Sequence, residues 1–243
     1  LDLYLPRGQQ GPVPALIQIH GGGWVGGSKE RNSLTFLPYL EMGWAVINIE
    51  YRLGRVALAP AAVEDCLCAL RWIIRNADQY NIDASRLVVT GYSAGGHLAL
   101  TTGLVPSSAG LDLQCPGNEP LEVAAIVNWY GITDVGDLLD GKNMKSYAVQ
   151  WMASMPDRYE IAERVSPLTY VRGGLPPILT IHGDADPTVP YSHAERLRDA
   201  LDDAGVANQL HTVAGGGHGN FTLDEYQAVY EVIRAFLKQH GLL

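Results

Sequence analysis

Cysteines, basic runs and long apolar stretches are all scarce in this chain, and each scarcity excludes something. No segment reaches the ~18 consecutive apolar residues of a membrane-crossing helix, so no transmembrane span is expected. Lys and Arg number 17 against 26 Asp and Glu, a formal charge of −9, without any Lys/Arg run. Neither nucleic acid nor an anionic membrane is therefore expected as a partner. The three cysteines, Cys66, Cys68 and Cys115, show no C-x-x-C pair and no metal-ligand spacing. Cys66 and Cys68 lie two apart in a helical pattern and point to different faces. All three are expected to be buried free thiols. The chain starts at Leu1 with neither Met nor a signal-like segment, so localisation is not legible from this end.

What is abundant is glycine. There are 27 in 243 residues, and twelve of them fall within 21–27, 91–96 and 215–219. No G-X-Y period accompanies them, which excludes collagen and low-complexity disorder. The length suits one domain with a core that needs no metal or disulfide to form.

Short apolar runs at 15–19, 45–49, 87–90, 124–127 and 178–181 are continuous rather than alternating, as in strands buried on both faces of a parallel sheet. Leu1, Leu3 and Leu5 alternate and predict a further strand stopped by Pro6. Val63, Cys66, Leu67, Leu70, Ile73, Ile74 and Ala77 mark one helix face. Amphipathic helices are also expected over 192–204 and 222–238, the latter after a Thr222-x-x-Glu225 capping box. Alternating strands and helices predict right-handed βαβ units in a doubly wound sheet. Residues 1–243 read as a single domain. Segments 104–122 and 135–166 break the alternation, and the second is expected to be a small lid-like insertion at the strand tips.

Gly91-Tyr92-Ser93-Ala94-Gly95-Gly96 lies between a strand and a helix. This is the G-x-S-x-G pattern of a nucleophilic serine on a sharp strand-to-helix turn. The two flanking glycines remove side chains that would collide as the chain folds back. His20-Gly21-Gly22-Gly23-Trp24 follows the strand at 15–19 and lacks the spacings of nucleotide-binding loops. Successive glycines let backbone N–H groups converge on one point, so an oxyanion hole is expected, completed by the amide of Ala94. His20 reads as a loop fastener, and Trp24 as either a core aromatic or a pocket wall.

Of the seven histidines, only His218 sits in a Gly-rich loop beyond the last strand. It is the candidate general base, taking the proton of Ser93 and returning it to the leaving group. The chain order Ser, acid, His admits Asp186, with Asp184 and Asp134 as competitors. Tyr92, Tyr147, Trp151 and Met152 are candidate pocket residues together with Trp24, although an aromatic and Met cluster is more often ordinary core.

His20 to Trp24, Gly91 to Gly96, His182 to Asp186 with Val189-Pro190, and Gly217-His218-Gly219 together resemble the α/β-hydrolase superfamily. The nearest branches are the hormone-sensitive-lipase-like carboxylesterases and the carbohydrate- and feruloyl-esterase-like group called BD-FAE. Glu50-Tyr51-Arg52-Leu53 and Ser166-Pro167 are similar to segments of that family. The resemblance implies the α/β-hydrolase fold and ester hydrolysis through an acyl-serine intermediate, with no metal or organic cofactor. It makes Asp186 the acid and the amides of Gly22, Gly23 and Ala94 the oxyanion hole. Leu1 to Leu5 matches the family's second strand, and the large helical N-terminal cap has no counterpart in this chain. The resemblance thus implies an open site that takes short-chain or protruding esters, such as acetyl or feruloyl groups on plant polysaccharide.

Two other readings compete. A similar His-Gly-Gly-x-Trp motif occurs in kynurenine formamidases, so an N-formyl amide is the second candidate substrate. A hydrolase fold can also serve as a non-catalytic binding module, which would tolerate loss of Ser93, Asp186 or His218.

Overall fold

The computed structural model describes residues 1–8, 10–31 and 33–243. Seven strands form one sheet: β1 (Asp2–Tyr4), β2 (Val13–Ile19), β3 (Ala45–Ile49), β4 (Ile82–Tyr92), β5 (Ala125–Trp129), β6 (Ile178–Gly183) and β7 (Asn208–Val213). Their spatial order is β1-β3-β2-β4-β5-β6-β7, with β1 antiparallel and the others parallel. The continuous apolar runs follow from this arrangement, because both faces of the sheet are covered. Ile17, Ile47, Val89, Ile126 and Ile178 face one buried layer, with helices α2 (Ala61–Asn76), α3 (Ala94–Leu104) and α6 (Ser192–Asp203). Leu16, Val46, Val88, Val127 and Leu179 face the other, with α1 (Leu37–Glu41) and α7 (Leu223–Gln239). The Thr222–Glu225 capping box starts α7 as expected.

The chain steps from β2 to β3 on one side, then crosses to β4 on the other side of β2. Loops leaving the C-terminal ends of β2 and β4 therefore diverge, and a crevice opens where the strand order reverses. The glycine loop after β2 and Ser93 after β4 both lie there, since Ile19 pairs with Gly91.

The 135–166 segment carries α4 (Ser146–Met152) and α5 (Arg158–Arg164) at the strand tips. Trp151, Met152, Ala148 and Val165 are fully buried, so it packs down onto the sheet layers.

The cysteines depart from expectation. Cys68 and Cys115 are joined as a disulfide across 47 residues, and only Cys66 is a free buried thiol. Cys66 and Cys68 do point to different faces, and that is the reason for the outcome. Cys66 enters the core, while Cys68 meets the 105–123 loop, whose return to α2 is a tertiary event without a local sequence signal. Arg71 and Arg75 on the same helix reach the same loop, through Asp112 and Glu119.

Candidate active site

Ser93 occupies a strained turn. Its φ of 57° and ψ of −120° are costly for a residue with a Cβ. The backbone is held there by Ser93 N–H donating to Trp129 O at 2.9 Å, and by His97 N–H donating to Ser93 O at 3.0 Å. Gly95 is obligatory at this crossing: a Cβ there would run into the carbonyls of Ile19 and His20. The turn aims Ser93 into a cleft of 320 Å³ whose lining includes Gly22, Gly23, Tyr92, Tyr130, Tyr147 and His218.

Register delivers the other groups to the same edge. Tyr92 pairs with Trp129 and Trp129 with Ile181, so the residues after β4, β5 and β6 stand side by side. Gly183 pairs with Val213, which brings the Asp186 turn against the 214–219 loop. There His218 Nδ1 lies 2.7 Å from Asp186 Oδ2. The other carboxylate oxygen, Oδ1, accepts the backbone N–H groups of Thr188 at 2.7 Å and Val189 at 3.0 Å. Burial pushes the Asp186 carboxyl upward, but hydrogen bonds from His182, His218 and Val189 outweigh it and hold the group well below the usual carboxylate range. Asp186 is thus an anion whose lone pairs are all directed. Among the described residues no hydrogen bond joins Ser93 Oγ to His218, although both line the cleft; such contacts are commonly loose without substrate.

The competing acids are occupied elsewhere. Asp184 Oδ1 accepts Gly215 N–H and braces the turn, and Asp134 pairs with Arg196 at 2.8 Å. On the glycine loop, the amides of Gly22 and Gly23, like that of Ala94 at the start of α3, donate to no protein acceptor among the described residues. Gly22 has φ +121°, and a Cβ on it would overlap the Gly26 carbonyl. His20 holds the loop from beneath, with Nε2 3.2 Å from Glu50, Nδ1 2.7 Å from Gly21 O, and its ring stacked on Tyr51.

The pocket residues divide. Tyr92 and Tyr147 line the cleft, and the Tyr147 hydroxyl donates to Thr188 O at 3.1 Å. Trp24, Trp151 and Met152 do not: all three are fully buried. Trp24 stacks on Trp151 at 4.2 Å, behind the cleft wall, because its apolar surface is matched by the insertion rather than left for a ligand.

Tyr130 and Arg31 are missed by the motif reading, which includes His182 in the His182 to Asp186 motif without giving it a role. Tyr130 directly follows β5 at φ +39° and packs on the His218 ring at 4.6 Å. Its position at a strand tip is the available signal. His182 Nε2 lies 3.2 Å from Asp186 Oδ2, and the i,i+4 spacing of the two was visible. Arg31 lines the cleft from a loop with no motif. Among the described residues no group of three or more His, Cys, Asp or Glu is placed to hold a metal ion, and no helix is long and apolar enough to cross a membrane.

The chain is similar to several known esterases. The chain is 30% identical to Esterase LipQ of Mycobacterium tuberculosis over 220 residues, 87% of this chain and 51% of LipQ. It is also 30% identical to an ethyl acetate hydrolase of Pseudomonas putida, over 93% of this chain and 73% of that protein. The chain spans about half the length of LipQ and of LipC from the same organism. A truncated carbohydrate esterase from gut microbiota superposes with TM-score 0.82 at 30% identity, covering 98% of this chain and 90% of that one. Butyrate-bound esterase 2 of Thermogutta terrifontis superposes at 0.84 with 27% identity, over 99% and 89% of the two chains. The BD-FAE family model matches residues 1–201. With its mostly parallel seven-stranded sheet and its serine turn at the strand crossover, the chain belongs to the BD-FAE family of α/β-hydrolases.

Proposed function

We propose that this chain is a carboxylesterase that hydrolyses short-chain carboxylic esters through an acyl-serine intermediate. The observation that carries the reading is the His218 Nδ1 to Asp186 Oδ2 hydrogen bond of 2.7 Å, beside a serine held at positive φ in one cleft. Ser93 Oγ attacks the ester carbonyl while His218 Nε2 takes its proton. Asp186 fixes the tautomer with the proton on Nδ1 and stabilises the imidazolium that forms. The carbonyl oxygen, now an anion, receives the amides of Gly22, Gly23 and Ala94, each such donor contributing roughly 10²–10³ in rate. His218 then protonates the departing alcohol, and a water repeats the sequence on the acyl-enzyme.

A cleft of 320 Å³ favours a short acyl chain, and the carbohydrate esterase superposition supports an ester carried on a sugar. The experiment is turnover of 4-nitrophenyl acetate and butyrate, with N-formylkynurenine as comparator, by the parent chain and Ser93→Ala. The esters should be turned over faster than the formamide, and Ser93→Ala should lose all but a residue of activity. Undiminished turnover by a folded Ser93→Ala variant removes the nucleophile assignment.

A further inference from the structure

The loop that carries the oxyanion-hole glycines continues to a turn at Ser28–Arg31, closed by Arg31 N–H donating to Ser28 O at 3.2 Å. This turn is pinned from three sides through Lys29. Its backbone N–H donates to Glu50 Oε2 at 2.9 Å, its carbonyl accepts from Asn48 Nδ2 at 2.7 Å, and its ammonium pairs with Asp2. Every acid near the turn is thereby engaged. Glu50 holds His20 and Lys29, Asp2 holds Lys29, and Glu30 bonds the Ser28 side chain and lies 3.9 Å from the Lys29 ammonium.

Of the two cations on this turn, Lys29 is paired and Arg31 has no carboxylate partner among the described residues; Arg31 lines the cleft together with Ser28. Among the described residues no Asp or Glu lines that cleft, so its wall carries a cation inside a chain of net charge −9.

We propose that Arg31 makes the cleft selective for esters that bear a carboxylate close to the scissile bond, the guanidinium pairing with that anion. This rests on the ester-hydrolase reading of Ser93. An exposed ion pair of this kind is worth roughly 1.5- to fivefold in kcat/KM, and it is screened by salt.

The test uses two matched pairs. Acetylated glucuronic acid against acetylated glucose puts the charge on the alcohol half. The 4-nitrophenyl half-ester of succinate against 4-nitrophenyl butyrate puts it on the acyl half. The parent chain should prefer the anionic member of one pair by roughly 1.5- to fivefold, which identifies the half that Arg31 meets. Arg31→Gln should bring that ratio close to one, Arg31→Glu should invert it, and 0.5 M NaCl should compress it in the parent. Equal rates within both pairs, or a preference that survives Arg31→Glu, overturns the proposal. Failure of the underlying reading looks different, since the neutral esters would then show no Ser93-dependent turnover.

A separate observation concerns His182, which is fully buried. Its Nε2 lies 3.2 Å from Asp186 Oδ2 and 3.1 Å from Val189 O, while Nδ1 has no partner. Two acceptors facing Nε2 require a proton there, and a proton on Nδ1 would be orphaned. We infer that His182, neutral and donating from Nε2, is a positioning residue that shares the Asp186 carboxylate with His218. Around the two imidazoles the titratable groups are Asp186, Tyr130 and Tyr191, with His20 and Arg31 elsewhere on the cleft wall. Removing the His182 donor concentrates the Asp186 charge on His218 and favours the imidazolium.

His182→Phe should therefore move the acid limb of kcat/KM to higher pH, with a plateau about tenfold lower. His182→Gln, which keeps a donor near Nε2, should restore the limb. A folded His182→Phe whose limb does not move contradicts the inference. Should that variant not fold, nitrogen NMR of the parent decides: His182 must carry its ring proton on Nε2, and a proton on Nδ1 contradicts the inference equally.

Discussion

The Trp24 indole N–H donates to His97 Nδ1 at 3.1 Å, joining the glycine loop after β2 to the first turns of α3. His97 Nε2–H in turn donates to Val165 O at 2.7 Å, at the end of the insertion. One neutral imidazole thus ties together the glycine loop, the serine helix and the segment that covers them. Trp24→Phe keeps an aromatic ring against Trp151 but leaves the His97 acceptor buried and unpaired. It should cost about 1–3 kcal/mol, read as a lower urea midpoint with an unchanged slope.

Burial pushes the His97 pKa down to about 4 from an ordinary 6.5, against the opposing hydrogen bond to Val165. In that interval the unfolded chain binds a proton that the folded chain refuses, so stability rises with pH. On acidification, stability should start to fall near pH 6.5 and level off for this group below about pH 4, a loss of about 3 kcal/mol. His193, also held to about 4 by burial and by Arg196, adds to the same slope. Unfolding free energies measured from pH 7.5 to 4 check this, and a flat profile contradicts the buried neutral imidazoles.

The Cys68–Cys115 bond closes a 47-residue separation. Constraining the unfolded chain over such a loop is worth about 4 kcal/mol in the chain-entropy account. Reduction, or the Cys68→Ser/Cys115→Ser pair, should lower the melting temperature by several degrees. Neither cysteine lines the cleft at Ser93, so turnover well below the melting point should persist. Identical melting with and without reductant would mean that the bond does not form in solution.

Asp186→Asn should lower kcat/KM by roughly 10³–10⁴, because the amide no longer selects the His218 tautomer. Asp184→Asn weakens only a turn contact to Gly215 and should cost less than about tenfold. The reverse ranking would exchange their roles.

Much of the fold was legible because βαβ geometry writes itself locally. Continuous β-branched runs marked the buried strands, and the apolar spacing of Val63 to Ala77 marked α2. Ser93 and the glycine loop were legible for a similar reason: tight turns and exposed amides demand particular residues at short spacing. Asp186 was separable from Asp184 only through family resemblance, since each follows β6 and only tertiary register decides which meets His218. Trp24, Trp151 and Met152 were ambiguous because a pocket wall and a core demand the same side chains. The Cys68–Cys115 pairing, the packing of Tyr130 on His218 and the free charge of Arg31 depend on contacts across the chain, for which one sequence carries no local rule.

In the proposed reaction Ser93 is the residue acylated in turnover. An organophosphonate ester should add a single phosphonyl group to the native chain, located on Ser93 by peptide mass mapping, with activity lost in proportion to labelling. Ser93→Ala should remain unlabelled. A label on another residue, or full activity in a chain labelled at Ser93, would contradict the account.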